Sequence, residues 1–124
     1  MRRNPTHTQV AKYARMLSVL GTEPRLKVVR LLLSAHPHGL VASEIAREMK
    51  IPNSTLSHYL DKLKNHGLVS VRREGTFLWY TANDGALQEL IAFLYEECCT
   101  RSAVRPSRRA GYSKLPSKSG SSVI

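Results

Sequence analysis

SEIAREMKIPNSTLSHYLDKLKNHGLVSVRREGTFLWY, residues 43–80, carries two different apolar periods. Up to His66 the apolar residues recur at helical spacing: Ile45, Ala46 and Met49, then Leu56, Leu60 and Leu63. Ser43 is placed to cap the first of these helices and Ile51-Pro52 to break it. Asn53 is placed to cap a second, running from residue 54 to about 66, which Gly67 ends. Beyond Gly67 the period changes. Leu68-Val69-Ser70-Val71 alternates as a half-buried strand, Glu74-Gly75 turns the chain, and residues 76–81 are rich in strand formers. Two short helices across a tight turn, then a hairpin with arginines near its tip, predict a helix-turn-helix with a β-wing. That arrangement lays its second helix in a DNA major groove.

Outward from this stretch the chain reads as helical. Val10, Tyr13, Ala14, Leu17 and Leu20 predict a first helix over residues 7–20, ended by Gly21. Thr22, Glu23 and Pro24 then suit an N-cap and a first turn, and Leu26, Val29, Leu32 and Leu33 carry a second helix to about Ala35. The Pro and Gly of His36-Pro37-His38-Gly39 mark a loop, with His36 and His38 expected in solvent. Leu40-Val41 is placed to pair with the later hairpin. Asn83 or Asp84 starts a last helix, along which Leu87, Leu90, Ile91, Phe93 and Leu94 form a broad apolar stripe. The expected fold is mainly α, with about five helices and a two-stranded wing, in one domain over residues 7–99. Residues 1–6 are expected to fray, and residues 100–124 to form a basic disordered tail.

The chain has 124 residues, 42% of them hydrophobic, enough for one modest core. Its net charge of +10 points to a polyanionic partner, but the charge is uneven. Arg101, Arg105, Arg108, Arg109, Lys114 and Lys118 fall in residues 101–118 without an acid, which leaves residues 1–100 with a net charge of only +4. The tail is read as solvated, adding at most a DNA affinity that falls with salt. No apolar run approaches the roughly 20 residues that span a bilayer, and no apolar segment follows Arg2-Arg3, so neither a membrane span nor a secretory signal is expected. Two adjacent cysteines make no disulfide framework and bridge poorly, which fits a reduced, cytoplasmic protein. No Ser-His-Asp grouping, Gly-rich phosphate loop or carboxylate pair is present, so no enzyme is expected.

Burying Leu56, Leu60 and Leu63 leaves Asn53, Ser54, Ser57, His58, Asp61 and Lys62 on the outer face of the second short helix, with Thr55 at its start. Short hydrogen-bonding side chains there suit base edges and the nearest phosphates. Arg72 and Arg73 would set cations against an adjacent backbone or minor groove. Any solvated helix also shows a polar outer face. The hairpin that follows directly and the basic balance favour DNA, a winged helix used on protein or RNA being the alternative. The stripes of the first and last helices look too broad for one small domain to cover, so Tyr13, Met16, Leu17, Leu90, Phe93 and Leu94 are expected at a dimer interface.

These residues carry a family resemblance. TEPRLKVVRLLL resembles the second helix of the ArsR/SmtB winged-helix repressors, IPNSTLSHYLDKLKNHGLVSVRREG their recognition helix and wing, and the last helix their dimer element, over residues 16–96 in all. The resemblance implies a homodimer that binds an inverted-repeat operator on double-stranded DNA and releases it when an inducer binds.

The inducer sites that the resemblance would supply are altered here. Val41 and Ser43 stand where arsenic and cadmium sensors carry a CxC pair, and the last helix lacks the histidines of the zinc site, so no zinc site is expected. Cys98-Cys99 remains. It resembles the vicinal pair of an arsenic-responsive subgroup, without the third cysteine that some members add. Two soft sulfurs suit a thiophilic ion. Arsenic in its trivalent state forms three bonds, so a dithiol alone satisfies an organoarsenical. The expectation is that Cys98 and Cys99 bind trivalent arsenic (or antimony), as arsenite or an organoarsenical. Redox or persulfide sensing by these thiols, and inert cysteines with no inducer site, stay open.

Overall fold

The computed structural model describes residues 7–101; the expectations for residues 1–6 and for the tail beyond Arg101 lie outside them. Its elements follow the order α1 (His7–Leu20), α2 (Glu23–Ser34), β1 (Leu40–Val41), α3 (Ala42–Met49), α4 (Asn53–Asn65), β2 (Val69–Glu74), β3 (Phe77–Ala82) and α5 (Asp84–Tyr95). These are the five helices and the hairpin read from the sequence. The short β1 adds a third strand, Leu40 opposite Tyr80 and Val41 opposite Trp79, so the antiparallel sheet runs β1-β3-β2 with β3 at its centre.

The core is apolar throughout. Val28 and Leu32 of α2, Ile45 of α3, Leu56 and Leu63 of α4, and Leu68 just before β2 are fully buried, and among the described residues no polar side chain is buried with them. At about 1.5–3 kcal/mol for each such aliphatic side chain removed from water, these contacts hold α2, α3 and α4 together. Contacts divide the chain into two units, Met1–Ala92 and Phe93–Ile124. The helix-turn-helix and the wing belong to the first.

Helices α3 and α4 end in the same way. After α3, Lys50 takes a left-handed conformation (φ 59°), its N–H bonds Arg47 O at 3.2 Å, and the N–H of Ile51 reaches back to Ala46 O at 3.1 Å. After α4, Gly67 (φ 73°) plays the part of Lys50, donating to Lys64 O at 3.0 Å, and Leu68 donates to Leu63 O at 2.9 Å. Both are Schellman closures, and each sends the next apolar residue into the core. The first has a lysine where glycine would be unstrained. Lys50→Gly should therefore raise the unfolding free energy by about 0.5–1 kcal/mol, read from a denaturant titration.

The helix starts differ from expectation. Ser43 does not cap α3. The chain passes from β1 directly into the helix, so Val41, still extended, occupies the cap position and Ser43 lies exposed in the first turn. Nor does Asn53 cap α4. Pro52, whose ring fixes an extended-compatible φ of −67°, holds that position, and Asn53 is the first helical residue. Thr22 does sit at the cap of α2, but its hydroxyl makes no capping bond. At α5 the cap is Asn83. Its Oδ1 accepts from the Ala86 N–H at 3.2 Å, and its Nδ2 donates to Gly67 O at 2.8 Å, tying the end of α4 to the start of α5.

Met16 and Leu90, expected at a dimer interface, are each only 4% exposed in the single chain and belong to its own core, against which Tyr13 also packs. The helical period that placed them on an apolar face was right, but it does not say whether the same chain or a second copy covers that face. Of the other residues expected there, Leu17 and Leu94 are exposed and Phe93 is half-buried, and Val10 on α1 and Ile91 and Tyr95 on α5 are further exposed apolar residues.

Candidate nucleic-acid interface

Helix α4 stands on its leucines. With Leu56, Leu60 and Leu63 buried, the opposite face shows Asn53, Ser54, Ser57, His58, Asp61, Lys62 and Lys64 to solvent, and Thr55 and Tyr59 are half-buried at its margins. No side chain caps its start. The first backbone N–H groups therefore keep their donor capacity beside Asn53 and Ser54. Hydrogen-bonding groups thus crowd the first turns, and cations follow at Lys62 and Lys64. The His66 Nδ1–H donates to Lys62 O at 3.0 Å, which fixes that ring against its own helix. Beneath α4, burial and then the Asp61 carboxylate raise the pKa of the Tyr80 phenol, so it stays protonated on the sheet.

The hairpin is built on a two-residue turn. Glu74 pairs with Phe77, Gly75 sits at φ 64°, and Thr76 is not left-handed, the pattern of a type II′ turn. Alternation then places Arg72, Glu74, Phe77 and Trp79 on one face and Arg73 and Leu78 on the other. The two arginines consequently have different tasks. Arg73 is exposed near the tip. Arg72, expected to contact DNA, is committed to its own protein. Its Nε donates to Glu74 Oε2 at 2.9 Å, its Nη1 donates to His38 O at 3.2 Å, and its guanidinium lies 5.5 Å from the Trp79 ring centroid. His38 meets the same indole edge-on, with centroids 5.1 Å apart. Arg72 thus braces the root of the wing. The Arg72–Trp79 pairing was available from the register of a two-residue turn at Gly75-Thr76, but the contact with His38 crosses from a loop and left no local signal.

In the second unit, the Cys98 N–H donates to Tyr95 O at 2.8 Å and the Thr100 N–H to Glu97 O at 3.3 Å, so the chain continues in turns past α5. Cys99 is left-handed (φ 63°). The two exposed thiols lie side by side with their sulfurs 3.0 Å apart, and neither is in a disulfide. Among the described residues no three His, Cys, Asp or Glu side chains converge as a metal cluster, and no helix is long and apolar enough to cross a membrane.

Two helices crossed by a Schellman turn, a polar-faced second helix and a braced hairpin define a winged helix-turn-helix protein. Comparison with known proteins agrees. Residues 22–71 match the family described as bacterial regulatory protein, arsR family. An uncharacterised HTH-type transcriptional regulator of Methanocaldococcus jannaschii is 34% identical over 85 residues, spanning 68% of this chain and 93% of the relative. The solved structure of HlyU from Vibrio cholerae superposes with a TM-score of 0.61 at 26% identity, covering 76% of this chain and 99% of that one. A homodimeric winged helix-turn-helix DNA-binding domain from Mycobacterium bovis does so with a TM-score of 0.59 at 27% identity, covering 79% and 93%. The chain belongs to the ArsR family of transcriptional regulators.

Proposed function

We propose that this regulator is a repressor that binds an inverted-repeat DNA operator as a homodimer in the cytoplasm and releases it when trivalent arsenic bonds to Cys98 and Cys99. The DNA part rests on α4, whose Asn53, Ser54, Ser57, His58 and Lys62 are exposed together beside a wing carrying Arg73. The similar Mycobacterium bovis domain, described as homodimeric and DNA-binding, supports both DNA as the ligand and the dimer as the assembly. Exposed Val10, Leu17 and Ile91 offer apolar surface for the second copy.

The observation that carries the inducer assignment is the 3.0 Å between two exposed sulfurs, close enough for one arsenic atom to bond both. A trivalent organoarsenical oxide would react with the two thiols to form two As–S bonds. Both S–H protons leave with the arsenical oxygen as one water, and arsenic stays trivalent. Soft thiolates favour such an ion over the harder zinc, for which no three-ligand cluster converges among the described residues. Ring closure at Cys98-Cys99 would reshape the end of α5 and so couple to the spacing of the two recognition helices. Two exposed thiols this close also suit thiol-based redox or persulfide sensing, the second reading, although a direct disulfide between neighbours would be strained.

The test is fluorescence anisotropy on duplexes that the protein itself selects from a randomised pool, titrated with phenylarsine oxide, arsenite, zinc, cadmium and a persulfide donor. Phenylarsine oxide should weaken binding at least about tenfold, within the usual span of allosteric coupling. Cys98→Ser and Cys99→Ser should bind the duplex as the parent does and ignore the arsenical. If either variant responds like the parent, the dithiol site is wrong. Release by the persulfide donor alone would favour the second reading.

A further inference from the structure

We infer that Phe77 is a specificity-determining residue, an apolar wedge that the wing sets into the DNA minor groove beside each half-site. The inference rests on the operator-binding reading above. It begins from a mismatch between position and chemistry. At the free end of the hairpin Phe77 is 58% exposed and Leu78 41% exposed, whereas Trp79, Tyr80, Thr81 and Ala82, further along the same strand, are half-buried or buried. The core therefore does not need Phe77, and a turn tip exposed only to water favours polar residues.

The charges around it select the occupant. Glu74, the cross-strand partner of Phe77, is paired with Arg72, so its carboxylate is matched from within the hairpin. Arg73, opposite Leu78, is the exposed cation of the tip. A tip with an aromatic ring on one face and an exposed guanidinium on the other suits a groove walled by phosphates, with the cation on the backbone and the ring at the base edges. The surroundings are stiff enough to deliver it. The two-residue turn fixes the register, Arg72 and His38 hold Trp79, and β1 pins the strand from its other side.

A ring in that position selects DNA by deformability and forms no hydrogen bonds to bases. Opening a base step is least costly at pyrimidine–purine steps such as TA and CA, and most costly in stiff A-tracts. The protein should therefore discriminate between flanking sequences that α4 never touches. Phe77 is exposed, so its replacement should leave the melting midpoint unchanged.

The experiment uses duplexes selected by the full chain from a randomised pool, then rebuilt with either a TA step or an A-tract at the position under the wing. The parent should favour the TA flank by about tenfold. Phe77→Ala should lose that preference while keeping the parent's salt dependence, Phe77→Leu should keep part of it, and Arg73→Ala should lower the salt slope by about one. A 2-aminopurine placed at the flanking step should brighten on binding the parent and stay dark with Phe77→Ala. Equal affinity and equal flank selection by parent and Phe77→Ala would overturn the wedge while leaving the operator reading intact. Loss of dimer by Phe77→Ala would also overturn it, in favour of a protein contact. A parent that selects no sequence at all would remove the operator reading and the wedge together.

Discussion

Gly39→Ala should unfold this protein at a markedly lower temperature than the same change at Gly67 or Gly75, where an added Cβ meets open space. Gly39 is buried at φ 90°, immediately before β1, and its N–H donates to Ala35 O at 2.9 Å. A Cβ there would meet the Tyr80 carbonyl oxygen at 2.3 Å and Thr81 Cγ2 at 2.6 Å. The first of these is backbone of the central strand, held by β1 on one side and β2 on the other, so it has no direction in which to yield. Left-handed strain in a non-glycine residue adds about 1–2 kcal/mol, and overpacking of this kind about 1–3 kcal/mol more. A loss near 3 kcal/mol corresponds to a fall on the order of 15 °C for a domain of this size, measured by circular dichroism. A midpoint within a few degrees of the parent would show that β1 is dispensable.

The second large effect is on binding. Ser57 stands on the exposed face of α4, one turn beyond Asn53 and beside His58, where the proposed complex brings phosphates and base edges closest. Ser57→Glu should reduce affinity for the selected duplex at least about a hundredfold, because it adds an unmatched anion to a surface that must neutralise phosphates. The fold should barely register the change. Glutamate is a better helix former than serine, and its repulsion from Asp61 four residues on costs a few tenths of a kcal/mol. Thermal melting reads the fold and anisotropy reads the binding, so the two effects separate. Unchanged stability with parent-like affinity would mean that α4 does not face DNA.

Much of this architecture is legible in the order of residues alone. The leucines at 56, 60 and 63 fix the buried side of α4, and hence the exposed side, because a helix allows no other solution. Gly67 and Gly75 announce the end of that helix and the turn of the wing, because both take positive φ. What escapes the sequence are facts about partners. Periodicity marks Met16 and Leu90 as apolar-facing without saying which copy of the chain they meet, and they meet their own. Arg72 and Arg73 are chemically identical and adjacent, but strand alternation turns one toward Trp79 and leaves the other exposed. The helix starts fail for a related reason. Ser43 and Asn53 have good capping chemistry, but the neighbouring strand and Pro52 already impose the extended backbone one or two residues earlier.

The strand order has a consequence for the protein at high concentration. Both margins of the sheet present backbone groups that another chain could extend into a growing ribbon. One margin is only two residues long, and the other ends in the charged run Arg72-Arg73-Glu74. Brevity on one side and charged side chains on the other discourage edge-to-edge growth beside an exposed aromatic ring at the tip of the wing.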